Sequence, residues 1–265
     1  MPAADHRPRF RELHARQEVF VMPNAWDIGS ARLLASLGFP ALATTSSGFA
    51  WSLGKEDQSV TLDELLSHVG ALAASVDVPL SVDSERCYGD DPAGVAETVS
   101  LLAEAGAAGC SIEDYDPVTG RIDDIGLATE RVAAAADAAH RGDLVLTARA
   151  ESHLYGGTDL EDTIARLQSY RAAGADVVYA PGLAGADQIA AVVDAVDAPV
   201  NVLALPAGPS VGDLGELGVR RVSTGGALAS AAYGAMVAGA RELLSAGSSG
   251  YVRGGLSKED RAAAF

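Results

Sequence analysis

Residues 102–114 read "LAEAGAAGCSIED", and the fold can be argued outward from how that stretch is built. An alanine- and leucine-rich segment ends at Gly106, and an apolar run follows at once. Glycine just past a helix supplies the left-handed cap, and a short apolar run after it reads as a buried strand. The same grammar recurs in "LASLGFPALATT" at 34–45, "RAAGADVVYAPG" at 171–182 and "LGELGVRRVSTGG" at 214–226. Gly38, Gly106 and Gly174 stand 68 and 68 residues apart, and Gly218 follows after 44. Between them lie three further apolar runs, each introduced by Pro or Asp: "VPLSVD" at 78–83, "DLVLTARA" at 143–150 and "APVNVLA" at 198–204. With "EVFVMPNA" at 18–25, eight strands are expected, each separated from the next by a helical segment.

Eight buried strands alternating with helices over about 250 residues is the arithmetic of an α/β TIM (β/α)8 barrel. A doubly wound open sheet should carry a glycine-rich phosphate turn after its first strand. That strand instead ends in "MPNAWDIGS", with no Gly-x-Gly-x-x-Gly. Residues 1–246 are expected to form the barrel, and the glycine- and serine-rich 247–265 a C-terminal arm or oligomer contact.

The net charge of −17, from 36 acidic and 19 basic residues, argues against a nucleic-acid or anionic-membrane partner. A small ligand is the better expectation, and an anionic one needs local Arg, Lys or metal to overcome the global field. Cys87 and Cys110 cannot make a disulfide framework or a metal-binding Cys-x-x-Cys pair. The N-terminal "MPAADHRPRFRELHARQ" lacks the apolar stretch of a signal peptide, and no segment offers 18 uninterrupted apolar residues. A soluble, cytoplasmic protein is expected.

In a barrel the active site lies at the C-terminal ends of the strands. Those ends here read "TTSSGFAW" at 44–51, "VDSE" at 82–85, "SIEDYD" at 111–116, "TARAES" at 147–152 and "NVLALP" at 201–206. On an extended chain Asp83 and Glu85 would point to one face and repel. Singly, such acids are usually helix caps or solvated loop residues. Asp83-Ser84 could cap a helix near Asp91-Pro92, and Asp114 or Asp116 could cap a later one. Together, Asp83, Glu85 and Glu113 facing Arg149 make an unusually acidic rim. Hard oxygen ligands of this kind, with places left for water, are what Mg²⁺ accepts.

The set "TTSSGFAWSLGKED", "LSVDSERCYGD", "CSIEDYDP", "TARAES" and "PVNVLA", in this order, resembles the isocitrate lyase and phosphoenolpyruvate mutase superfamily over residues 8 to 245. The resemblance implies a TIM barrel that exchanges its last helix between subunits, giving a dimer or a homotetramer. It also implies Mg²⁺, with Mn²⁺ as substitute, and a small anionic 2-oxo acid or its enolate. By motif position, Asp83, Glu85 and Glu113 match the metal-site acids, Glu113 usually through water. Ser47, Gly48 and Phe49 match the segment that holds the substrate carboxylate or oxo group. Asp57 matches an aspartate near the reacting end, and Arg149 the arginine that steadies developing negative charge. Asn201 matches an asparagine near the substrate carboxylate.

Two departures limit the likeness. Lyases carry a Lys-Lys/Arg-Cys-Gly-His loop after the fourth strand, and this chain has "EDYDPVTGRIDDIG" there; the mutases' lysine-bearing loop is missing too. The sixth strand, "VVYAPG", lacks the glutamate or histidine expected near Pro181. Cys110 reads as a buried structural thiol, while Cys87 and His153 are weaker candidates for substrate contact. Segment 115–124, with Gly120 as hinge and Asp116, Asp123 and Asp124 in it, reads as a gating loop. The expected activity is Mg²⁺-dependent making or breaking of a C–C bond next to a 2-oxo or 2-hydroxy carboxylate, by a lyase, decarboxylase or hydrolase. The alternatives are phosphonopyruvate hydrolase or mutase P–C chemistry, or a non-catalytic carboxylate-binding barrel.

Overall fold

The computed structural model describes residues 5–265, so the first four residues of the N-terminal stretch lie outside it. The eight expected strands form one parallel sheet. They are β1 in two pieces, Phe20–Met22 and Asn24–Ala25, then β2 Leu42–Thr44, β3 Leu80–Val82, β4 Gly109–Glu113, β5 Val145–Arg149, β6 Val177–Tyr179, β7 Val200–Leu203 and β8 Arg221–Ser223. The first piece of β1 pairs with β8 and the second with β2, so the ring closes through one strand and the chain is a TIM-type barrel.

The break in β1 falls at Pro23, which has no N–H for the ladder. The buried side chain of Asn24 takes over that work. Its Nδ2 donates to the Thr44 carbonyl at 2.6 Å, and its Oδ1 accepts from the Thr224 and Gly225 amides, both at 2.9 Å.

Two apolar layers hold the barrel. The larger lies between strands and surrounding helices, from Leu65 and Val69 through Val99, Leu102 and Val132 to Leu167 and Ile189. The smaller fills the lumen at the N-terminal ends of the strands, where Phe10 and Leu13 of helix Arg7–Ala15 meet Phe20, Met22, Ala108, Val145 and Val177. Gly109 is required there, because a Cβ at that position would lie 2.6 Å from the Phe10 ring. The arginines of this helix fasten it outside: Arg7 donates to the carbonyls of Ala103 and Ala107, and Arg11 to Asp143 and the Leu144 carbonyl. The base of the barrel lumen is therefore plugged, and a cavity within the lumen must open at the other end.

Helix caps come from residues other than the rim acids. Asp91 caps Pro92–Glu104 and Asp124 caps Ile125–Arg141, so neither Asp83-Ser84 nor Asp114 does so. Asp116 closes its own turn by accepting from the Val118 amide and the Thr119 hydroxyl. The residues after 246 form a short turn, Gly250–Gly254, and a helix, Lys258–Ala264, that packs along Ile28–Ser36. Among the described residues no helix is long and apolar enough to cross a membrane.

Phe10→Ala should lower unfolding free energy by about 3–5 kcal/mol, since it removes a fully buried ring from the plug and leaves a cavity. Equilibrium denaturation checks this; a loss under about 1 kcal/mol would mean the helix is not part of the folded core.

Candidate active site

A cavity of about 190 Å³ opens at the C-terminal ends of the strands. It is small beside the roughly 300–1,000 Å³ of pockets for drug-sized ligands, so a compact metabolite is the matching guest. Ser47, Asp57, Asp83, Arg149 and Asn201 all line it.

Arg149, the last residue of β5, organises the rim. Its Nη1 lies 2.7 Å from Asp83 Oδ1, its Nη2 3.2 Å from Glu113 Oε2 and its Nε 2.6 Å from Glu151 Oε1. Its guanidinium carbon stands 5.4 Å over the Tyr179 ring, a cation–π placement. One cation thus faces three acids, and Asp57 and Glu85 add two more nearby. Burial first, then Asp83 and Asp57, push the Glu85 carboxyl up to about 8. Burial also pushes Glu113 well up, against the pull of Arg149 and with the help of Glu151. Asp57 is exposed on its outer edge, yet partial desolvation and then Asp83 raise it above the usual carboxylate range. The rim therefore holds more acidic groups than Arg149 can keep ionised, and the surplus favours protons or another cation.

That surplus suits a hard divalent cation, which keeps several waters and takes one or two carboxylates. Of the three acids expected to hold it, Asp83 lines the cavity, Glu85 lines a smaller adjoining space, and Glu113 is buried against Arg149 and Gln58. The buried Gln58 Oε1 also lacks a hydrogen-bond partner, while its Nε2 donates to Glu113 Oε1 at 2.8 Å. Among the described residues no group of three or more His, Cys, Asp or Glu side chains is placed to hold a metal ion between them. The donors fit a partly hydrated ion better than an enclosed one.

Several expected positions are placed differently. Glu85 does not follow Asp83 on extended chain: its φ is 50°, so the backbone turns, and Glu85 lines a small adjoining space with Tyr88 and His68. The two carboxyls still interact, as the shift on Glu85 shows. Of the Ser47-Gly48-Phe49 segment, only Ser47 reaches the cavity. The Gly48 amide donates to the Thr45 hydroxyl as part of a helix cap, and Phe49 stacks on His68 with ring centroids 3.7 Å apart. The Ser46 amide, unforeseen, donates to Asp83 Oδ2 at 3.0 Å. Cys87 is fully buried beside Ser84, its thiol pushed up to about 12 by burial, and Cys110 is buried within β4. His153 turns away to Thr163, 3.0 Å from its hydroxyl.

Three participants carry no motif of their own. Glu151 lies just past β5 in "TARAES", where the alternation that lifts out Arg149 also selects it. Asp114 receives bonds from the Tyr170 hydroxyl, Arg166 and the Glu151 amide, and so locks the ends of β4 and β5 together. Arg221 crosses the lumen beneath the rim, donating to Asn201 Oδ1, Thr147 Oγ1 and His14 Nε2. The charged "RR" at the start of β8 was the available signal, but which arginine points inward depends on register.

A model of phosphoenolpyruvate phosphomutase matches residues 10–244. A Burkholderia cenocepacia J2315 protein, solved as a candidate lyase or mutase, shares 49% identity at a TM-score of 0.92, over 97% of this chain and 94% of that one. The oxaloacetate decarboxylase of Paraburkholderia xenovorans LB400 is 34% identical over 82% of this chain and 74% of its own length. The crystal structure of 2,3-dimethylmalate lyase, a PEP mutase/isocitrate lyase superfamily member, superposes at a TM-score of 0.84 with 28% identity, covering 97% of this chain and 92% of that one.

Burial and then the charge of Arg221 push the His14 imidazole down to about 3, so it is neutral and accepts from that guanidinium. Below about pH 6.5 the unfolded chain takes a proton that the folded one refuses. Stability should fall by about 1.4 kcal/mol for each pH unit from about 6.5 toward about 3 on this account. His14→Gln, which does not titrate, should flatten that part of a stability-against-pH curve; an unchanged slope would show that His14 is not its source.

Proposed function

The chain belongs to the phosphoenolpyruvate phosphomutase family, and from that premise we propose that it cleaves a C–C bond next to the 2-oxo group of a small dicarboxylate of the oxaloacetate class. The observation that carries this reading is a small cavity lined by Arg149, whose guanidinium faces the carboxylates of Asp83, Glu113 and Glu151. Homologues are lyases of the isocitrate lyase and phosphoenolpyruvate mutase superfamily, and the oxaloacetate decarboxylase likeness points to the substrate.

Asp83, Glu85 and Glu113 would hold Mg²⁺, which when bound supplies Lewis-acid polarisation of the 2-oxo oxygen. The chain's own groups do the rest. Arg149 and the Ser47 hydroxyl hold the 2-oxo carboxylate end. Arg149 also carries charge preorganised for the enolate, where such stabilisation acts most strongly. When the bond to the departing carboxylate breaks, its electron pair stays on the methylene carbon as the enolate and CO₂ leaves. Asp57, at the cavity mouth with a raised pKa, then delivers a proton to that carbon. The loop from Tyr115 to Asp124 shields the step from water: Tyr115 stacks on Tyr155 at 3.7 Å, and Arg86 pairs with Asp123 at 2.7 Å.

The test is oxaloacetate consumption with Mg²⁺, followed as pyruvate formation. Asp83→Ala should lower kcat/KM by about 100-fold or more and weaken Mg²⁺ binding by calorimetry. Metal affinity unchanged in that variant would remove the assignment of Asp83. Phosphate release from phosphonopyruvate in place of pyruvate from oxaloacetate would move the reading to P–C chemistry.

The helix Ala227–Ala246 buries only Ala229 and Gly239, while Met236 and Leu244 are 61% and 88% exposed. We place this face against a second copy of the chain. Native mass measurement should show a dimer or tetramer, and Met236→Glu with Leu244→Glu should yield monomer; a monomeric wild type would refute the contact.

A further inference from the structure

Two guanidinium groups line the same cavity at different depths. Arg149 sits at the rim among acids. Thr147 precedes it by two residues on β5 and so faces the lumen one layer deeper. Arg221 reaches across from β8 to that deeper layer, where its Nη2 donates to Thr147 Oγ1 at 2.9 Å. Its Nε donates to Asn201 Oδ1 at 2.8 Å, and its Nη1 lies 3.1 Å from His14 Nε2.

Every one of these partners is uncharged. Asn201 and Thr147 cannot ionise in the usual range, and His14 is held neutral by burial. The Tyr179 phenol, also nearby, is pushed up to about 12 by burial and stays protonated. Among the described residues no carboxylate lies within ion-pair distance of Arg221, although it is 3% exposed. Burial, opposed by Tyr179 and aided by Arg149, brings its pKa down to about 9, so it remains a cation at neutral pH. A buried charge without a counter-charge is normally expelled or paired, because its desolvation is not recovered. Here it is retained at the wall of a cavity. Three of its five N–H groups are used by the protein, which leaves one on each terminal nitrogen. A carboxylate accepts from two such donors at once.

We propose that Arg221 is a specificity-determining residue that receives a second acidic group of the substrate on the barrel floor, so that the cavity selects small dicarboxylates over monocarboxylates. The floor then does what the sixth strand does not: β6 brings Tyr179 and Pro181 to the cavity wall and no acid or base. Neutral Asn201 and His14 hold the guanidinium flat without competing for its charge. The inference rests on the cavity being the small-acid site proposed above, but not on which bond is broken there.

Calorimetric binding of non-reacting acids tests it without turnover. Malonate is compared with propionate, and succinate with butyrate, in Mg²⁺ buffer, on wild type, Arg221→Gln and Arg221→Lys. Wild type should favour each diacid by about tenfold or more, as expected of a charge-assisted hydrogen-bonded pair. Arg221→Gln should shrink that preference below about threefold while monoacid affinity stays within about twofold, and Arg221→Lys should retain an intermediate preference. No preference in wild type, or a full preference kept by Arg221→Gln, overturns the proposal. Should melting curves show that the Gln variant does not fold, Arg221→Lys decides alone: a preference equal to wild type overturns the assignment. Oxaloacetate that is not consumed, alongside Arg221-dependent diacid selection, would sink the proposed reaction and leave this site standing.

Discussion

Most of the active end of the barrel depends on the contact between Arg149 and the acids around it. The guanidinium meets Asp83 from β3, Glu113 from β4 and Glu151 from its own strand end. It therefore ties three neighbouring strand ends into one charged plate. Its fork geometry and low cost of desolvation suit it to that position better than a lysine. Because the acids outnumber it, the plate stays electrostatically unfinished. An incomplete charge balance is costly for stability and useful for binding a cation and stabilising an oxyanion.

The backbone beneath the plate carries strain of its own. Glu85, Cys87 and Tyr88 take φ values of 50°, 59° and 52°, a region that side-chain-bearing residues enter at a cost of about 1–3 kcal/mol each. Arg131, fully buried, holds this turn by donating to the carbonyls of Arg86, Gly89 and Asp90. Arg86 in turn grips Asp123, and Arg166 joins the Asp123 carbonyl to Asp114. The loops that frame the cavity are thus braced by arginines on the helices behind them. Strain at the rim is supported by packing that can bear it, since Arg131 lies on a helix whose alanines form part of the main core.

Much of this was legible in the one-dimensional pattern. The eight expected strands all appear in the barrel sheet, the first in two pieces, because glycine caps, Pro/Asp entries and apolar runs are local signals that a buried parallel strand cannot do without. That Asp83, Arg149 and Asn201 would line one cavity was readable because strand ends of a barrel converge, whereas Asp57, beyond the helix Ser46–Ser52, was placed there by the family resemblance. The misplacements share one cause as well. Gly48 and Phe49 were assigned by motif, but a helix starting at Ser46 turns them into the interior. Glu85 was placed by strand alternation, but the strand ends at Val82 and alternation ends with it. The break of β1 at Pro23 could be suspected from sequence, whereas its repair by Asn24 required the two chain ends of the sheet to be brought together.

The sequence by itself determined the barrel, its open end and the acidic, arginine-bearing character of that end, since each is encoded in residue types a few positions apart. Only the tertiary structure decided which of these charges are balanced. Glu151 and Asp114 meet across 37 residues of chain, and Arg221 reaches partners 20, 74 and 207 residues away. Whether a buried charge is paired or left open to a ligand is set by those distant neighbours and by the water they exclude, and neither is written in local spacing.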